Sequence, residues 1–140
     1  NVKRVMNGWI LSRKKEEKLA EDYIARLSIA TDSMEKPVGF LSGGNQQKVV
    51  LAKCMNAHAK ILMLDEPTRG IDVGAKAEIH RIIRELAEAG TSVMVFSSEL
   101  QEIMNLCDRI ILLSDGAIVA QMKNEEITDQ DQVMRLVAGG

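Results

Sequence analysis

Residues 61–76 read Ile-Leu-Met-Leu-Asp-Glu-Pro-Thr-Arg-Gly-Ile-Asp-Val-Gly-Ala-Lys. Four consecutive apolar residues, Ile61 to Leu64, predict a short strand buried on both faces. Asp65 and Glu66 follow at the end where that strand emerges. In open α/β sheets ligands sit beyond the carboxyl ends of the strands, so a carboxylate pair there suits a hydrated divalent cation and an oriented water. A solvated acidic turn is the plainer reading of the same pair. Pro67 fixes its own φ and biases Glu66 towards an extended backbone, which would hold that carboxylate at a defined angle.

Upstream, Leu41-Ser42-Gly43-Gly44-Asn45-Gln46-Gln47-Lys48 is a small-residue turn that opens a helical run. Such a turn offers unpaired backbone N–H groups to an anion. Gly43 and Gly44 would each cost a helix interior about 1 kcal/mol relative to alanine, which is tolerable in a first turn. They also allow another backbone or a ligand to come close.

Further along, Ser12 is a candidate cap for a charged helix from Arg13 to Leu27, with Leu19, Tyr23, Ile24 and Leu27 on a narrow apolar stripe. Residues 1–11 show no regular pattern, and 31–40 read as a loop. Ser42 caps a second helix to about Asn56. Asp72 caps a third, to Ala89, in which Ile79, Ile82, Ile83 and Leu86 fall at i, i+3, i+4 and i+7. Gly90 stops it, and a strand from Ser92 to Phe96 follows, giving a βαβ unit with parallel strands. After a short helix, Leu100 to Leu106, the segments 109–113 and 117–122 flank Ser114-Asp115-Gly116, a strong hairpin signal. A last helix begins near Thr128.

The chain has 140 residues, 46% of them hydrophobic, enough for one compact domain. A formal net charge of −2 supplies no basic field, so the sequence gives no support for a nucleic-acid partner. No apolar run approaches membrane-spanning length and no secretory signal opens the chain, so a cytoplasmic location is expected. Cys54 and Cys107 stand far apart in apolar settings, as reduced core thiols do, and neither histidine has a neighbour at metal-ligand spacing.

The diglycine turn and the acidic strand end, in this order and at this spacing, resemble the ATP-binding-cassette family, and most of all the second cassette of bacterial simple-sugar importers of the ribose, galactose and xylose type. The resemblance implies a partial P-loop NTPase (RecA-like) α/β fold of parallel strands with crossover helices. Residues 1–58 would form the helical and signature part, and residues 59–140 the remainder, ending in a β-hairpin. It also implies site residues. Asp65 would bind Mg²⁺ and Glu66 would activate the attacking water. Ser42, Gly43, Gly44, Asn45 and Gln46 would form the signature loop that meets the ATP of a second cassette, or of another copy, across a head-to-tail dimer. Asp72 would bridge that dimer, and transmembrane permease subunits would complete the importer at the inner face of the membrane.

Two departures from the family pattern stand out. No glycine in the chain is followed by lysine, so the phosphate loop, Walker A, is absent, and tight ATP binding by the chain alone is not expected. The resemblance therefore implies the C-terminal half of a cassette. Ser98 occupies the switch position where the family usually has histidine, and with Gln101 it fits a capping box. In the family sheet the missing phosphate-loop strand lies between the strands at Val93 and Arg109. An isolated chain is expected to bring those two together, to swap with another copy, or to be only marginally stable. The alternatives are a non-catalytic remnant that docks on another cassette and, with less support, a cassette ATPase outside transport.

Overall fold

A computed structural model describes residues 6–7 and 10–138. It opens with a small antiparallel pair, β1 (Met6–Asn7) and β2 (Ile10–Leu11), in a stretch whose sequence showed no pattern. Helix α1 (Arg13–Arg26) follows, then a 3-10 turn (Val38–Phe40), α2 (Gly43–Ala57), β3 (Ile61–Asp65), α3 (Val73–Glu88) and β4 (Ser92–Phe96). Then come α4 (Leu100–Leu106), β5 (Arg109–Ser114), β6 (Ala117–Lys123), a second 3-10 turn (Asn124–Glu126) and α5 (Gln130–Ala138). The chain divides into two compact units, one running to Met94 and the other starting at Val95.

In the first unit β3 and β4 are hydrogen-bonded neighbours joined through α3, the expected parallel βαβ crossover. Asp72 caps α3 by accepting from the Ala75 amide at 3.0 Å, and Gly90, at φ +92°, follows its last turn. Ile79, Ile82, Ile83 and Leu86 are all buried, as their spacing predicts. Leu27, Ile29, Leu51, Met55, Leu62 and Leu64 are buried too. Each such side chain contributes about 1.5–3 kcal/mol of transfer free energy. Helix α2 ends on His58 in a left-handed conformation, φ +51°.

Strand β3 corrects an expectation. Leu62 and Leu64 are buried, but Ile61 and Met63 are 69% and 63% exposed, so the strand is covered on one face and open on the other. Met94 and Phe96 of β4 are exposed as well. Four consecutive apolar residues marked a strand with two apolar faces, and the described residues supply the cover for one.

In the second unit β5 and β6 pair antiparallel, with a bulge between Leu112 and Leu113. Asp115 and Gly116 both have positive φ, +49° and +79°, the two left-handed residues of a tight hairpin turn. Ile110, Leu112 and Val133 form its core, flanked by Leu100, Ile103, Met122 and Val137. Asp129 caps α5 by accepting from the Gln132 amide at 2.7 Å. Among the described residues β4 has β3 as its one strand partner and β5 has β6.

Candidate functional site

Asp65 is the last residue of β3, exposed at its carboxyl end. Glu66 follows with φ +45°, in the left-handed region, instead of the extended backbone that Pro67 was expected to impose. A non-glycine residue held there costs about 1–3 kcal/mol and persists only where its surroundings over-determine it. Those surroundings are visible. Pro67 and Thr68 are almost completely buried, and the turn is closed by the Arg69 amide on the Glu66 carbonyl at 3.2 Å and the Ile71 amide on the Thr68 carbonyl at 3.4 Å. Burial of Pro67 and Thr68 outweighs the local preference and turns the Glu66 backbone sharply away from the strand direction.

The diglycine turn lies against the loop that follows this carboxylate pair. A β-carbon at Gly43 would stand 3.1 Å from Ile71 Cγ2, and one at Gly44 would stand 2.6 Å from Ala75 Cβ. Gly44 is buried. The two glycines let the start of α2 press on residues 70–75, which is a requirement of packing.

The side chains of the turn are committed in a way the sequence did not reveal. Ser42 holds the N-cap position of α2, yet its hydroxyl makes no cap bond. Instead it accepts from Asn45 Nδ2 at 2.8 Å, while Asn45 Oδ1 accepts from the Ala30 amide at 2.9 Å. Gln46 Nε2 donates to the Leu41 carbonyl at 2.8 Å, fixing the residue that enters the turn. Lys48 is buried, pairs with the Glu78 carboxylate of α3 and donates to the Ser28 carbonyl at 2.9 Å. Its place in the motif was legible, but its long-range partners carry no sequence signal.

Asp72 is the cap of α3, and its exposed carboxylate sits in the loop that Gly43 and Gly44 contact. Ser98 belongs to the second unit, one residue before the N-cap of α4. Glu99 is the N-cap residue of α4, and Gln101 bonds instead to Asn105 at 3.1 Å and to Gln130. The Ser97 hydroxyl accepts from the Glu99 amide at 3.0 Å, a local turn before the helix. The structure therefore brings together Ser42, Gly43, Gly44 and the loop carrying Asp72, with Asp65 and Glu66 a few residues before that loop.

Two clefts of about 500 and 530 Å³ occur in the first unit, and neither is lined by Ser42, Asp65, Glu66 or Asp72. Among the described residues no three His, Cys, Asp or Glu side chains cluster as a ready-made metal cage. Mg²⁺ commonly takes one or two carboxylates and fills its remaining positions with water and phosphate oxygens, so a single exposed Asp65 fits it as one contributor to such a shell. No helix among the described residues is long and apolar enough to cross a membrane.

Comparison with known proteins identifies the lineage. The family described as ABC transporter matches residues 2–69. A ribose import ATP-binding protein of Rhizobium meliloti is 45% identical over 139 residues, which is 99% of this chain and 27% of that protein. The chain belongs to the ATP-binding-cassette family. A xylose import ATP-binding protein of Histophilus somni is 48% identical over 125 residues, 89% of this chain and 25% of that protein. The dimeric structure of the bacterial cassette MJ0796 superposes with a TM-score of 0.71 at 25% identity, covering 82% of this chain and 50% of that one. This cassette segment thus spans about a quarter of the import proteins it matches.

Proposed function

We propose that the chain is the signature-bearing and acid-bearing half of a second cassette in a simple-sugar importer, and that it contributes to ATP hydrolysis within a site completed by other segments. The observation that carries this reading is the packing of the Ser42–Gly44 turn on residues 70–75. It makes the signature turn and the Asp72 loop one body, adjoining a strained Glu66.

Phosphoryl transfer to water is served by positioning and by electrostatics. Mg²⁺, when bound, would neutralise developing charge on the phosphate oxygens, and Asp65 would hold it directly or through water. Glu66 would orient a water through its carboxylate and accept a proton from it. Ser42 and the amides of Gly43 and Gly44 would donate to the terminal phosphate of a nucleotide held on a facing cassette, with Asn45 and Gln46 bracing the turn. Asp72 would reach across to that cassette, while Ser98, having no imidazole, would serve at most as a neutral hydrogen-bonding group at the switch position. The open face of β3 fits a further segment of the cassette packed against it. Transmembrane permease subunits, met at the cytoplasmic face of the membrane, would be its further partners, in keeping with the import role that the relatives' names state.

In a second reading the chain docks on another cassette without turnover. A hybrid separates the two: the full 140-residue chain carried in the Rhizobium meliloti relative in place of the matched segment. Mg-dependent ATP hydrolysis by the hybrid is expected. A hybrid that folds and assembles but hydrolyses nothing would leave the docking reading.

A further inference from the structure

Both ends of the Asn45 amide are committed, and their order is fixed by chemistry. Oδ1 faces the Ala30 amide at 2.9 Å, and a backbone N–H can only donate. The opposite end is therefore NH₂, and it faces Ser42 Oγ at 2.8 Å, so the hydroxyl oxygen must accept. A hydroxyl that accepts from one neighbour still has its own proton to give. Ser42 is exposed, and among the described residues the hydrogen-bond partner of its hydroxyl is the Asn45 donor, so that proton can be given to a group in front of the turn.

We propose that Asn45 is a positioning residue that holds Ser42 as an acceptor on its inner side and so keeps the hydroxyl proton available for donation to an anionic oxygen. This rests on the reading of Ser42 as a phosphate contact and adds the residue that decides the sense of the bond. Asparagine suits the task because it is the isostere of aspartate that keeps one donor. Asn45→Asp preserves the size and the acceptor for Ala30, but it replaces the donor facing Ser42 with a second acceptor. The Ser42 proton then turns inward and its lone pairs face the phosphate.

The test is a double-mutant cycle in ATP turnover of the hybrid described above, with thermal unfolding of the 140-residue chain recorded alongside. Ser42→Ala is expected to lower kcat about tenfold or more, the usual worth of a hydrogen bond to a charged group, and Asn45→Asp to do the same. Combining them is expected to cost no more than either alone, because both act through one proton. Asn45→Ala, which adds no charge, is expected to give a smaller loss that also vanishes in the Ser42→Ala background. The inference is overturned if Asn45→Asp leaves turnover unchanged, or if its loss persists in full without the serine hydroxyl, as simple charge repulsion would make it. If Ser42→Ala itself is silent, or the unsubstituted hybrid is inactive, the phosphate reading fails first and the inference with it.

Discussion

Lys48 of α2 and Glu78 of α3 form an ion pair in which the lysine side chain is only 5% exposed and the glutamate about half exposed. The same ammonium reaches the Ser28 carbonyl beyond the end of α1, so one buried charge ties three segments of the first unit together. Burying a charge is costly unless its partners are kept. Glu78→Ala is therefore expected to lower the unfolding free energy by about 1–3 kcal/mol, less than for a wholly buried pair because Ser28 and water remain as partners. Lys48→Ala should cost more, and Lys48→Met less than Lys48→Ala. Urea unfolding checks the order, and a Glu78→Ala variant as stable as the parent contradicts it.

Gly44 is governed by Ala75. A methyl group at Gly44 would meet Ala75 Cβ at 2.6 Å, too close for any rotamer to relieve. Gly44→Ala should destabilise by about 1–3 kcal/mol through overpacking, even though alanine favours helix by about 1 kcal/mol. Adding Ala75→Gly should recover much of the loss. Gly43→Ala, at 3.1 Å from a flexible Ile71 methyl, should be the milder change.

The open face of β3 predicts association. Ile61 and Met63 present two large apolar side chains on a short strand, beside Met94 and Phe96 of its neighbour. Sedimentation of the isolated chain should show concentration-dependent self-association or a low unfolding midpoint. Met63→Lys should reduce the association while leaving the buried Leu62 and Leu64 face intact. A stable, strictly monomeric chain insensitive to that substitution would argue against an uncovered face.

Cys107 contributes a pH-dependent part of stability on the alkaline side. Burial first, and then the negative charges of Asp108 and Glu102, push its thiol up. A folded pKa above the unfolded one means that the stabilisation is complete below the unfolded value of about 8.5 and is lost as pH rises through the folded value. Unfolding temperatures recorded from neutral pH to about pH 10 should fall over the upper part of that range, and Cys107→Ala should flatten the fall. An unchanged alkaline profile in Cys107→Ala would remove the thiol from the account.

Local pattern carried most of the fold. The 3.6-residue period of Ile79, Ile82, Ile83 and Leu86, the Asp72 cap and the Asp115-Gly116 turn are short-range features, and the structure reproduces them. The burial of β3 was misjudged because an apolar run reports what a strand can bury, not what the chain provides to cover it. Glu66 was misjudged because the bias of a following proline is weaker than the burial of Pro67 and Thr68. The polar order at the site was hidden for a different reason. The bonds from Asn45 to Ala30 and from Lys48 to Ser28 and Glu78 join residues 15 to 30 positions apart, where no periodicity reports them.

The central claim is that the carboxylate of Glu66 activates water for ATP hydrolysis in a site this chain shares with the rest of a cassette. The most direct measurement is steady-state Mg-dependent ATP hydrolysis by the hybrid carrying Glu66→Gln, with nucleotide binding measured on the same preparation. Loss of general-base catalysis should lower turnover about a hundredfold or more while ATP affinity is retained. Turnover unchanged by Glu66→Gln, in a hybrid that otherwise hydrolyses ATP, would contradict the account.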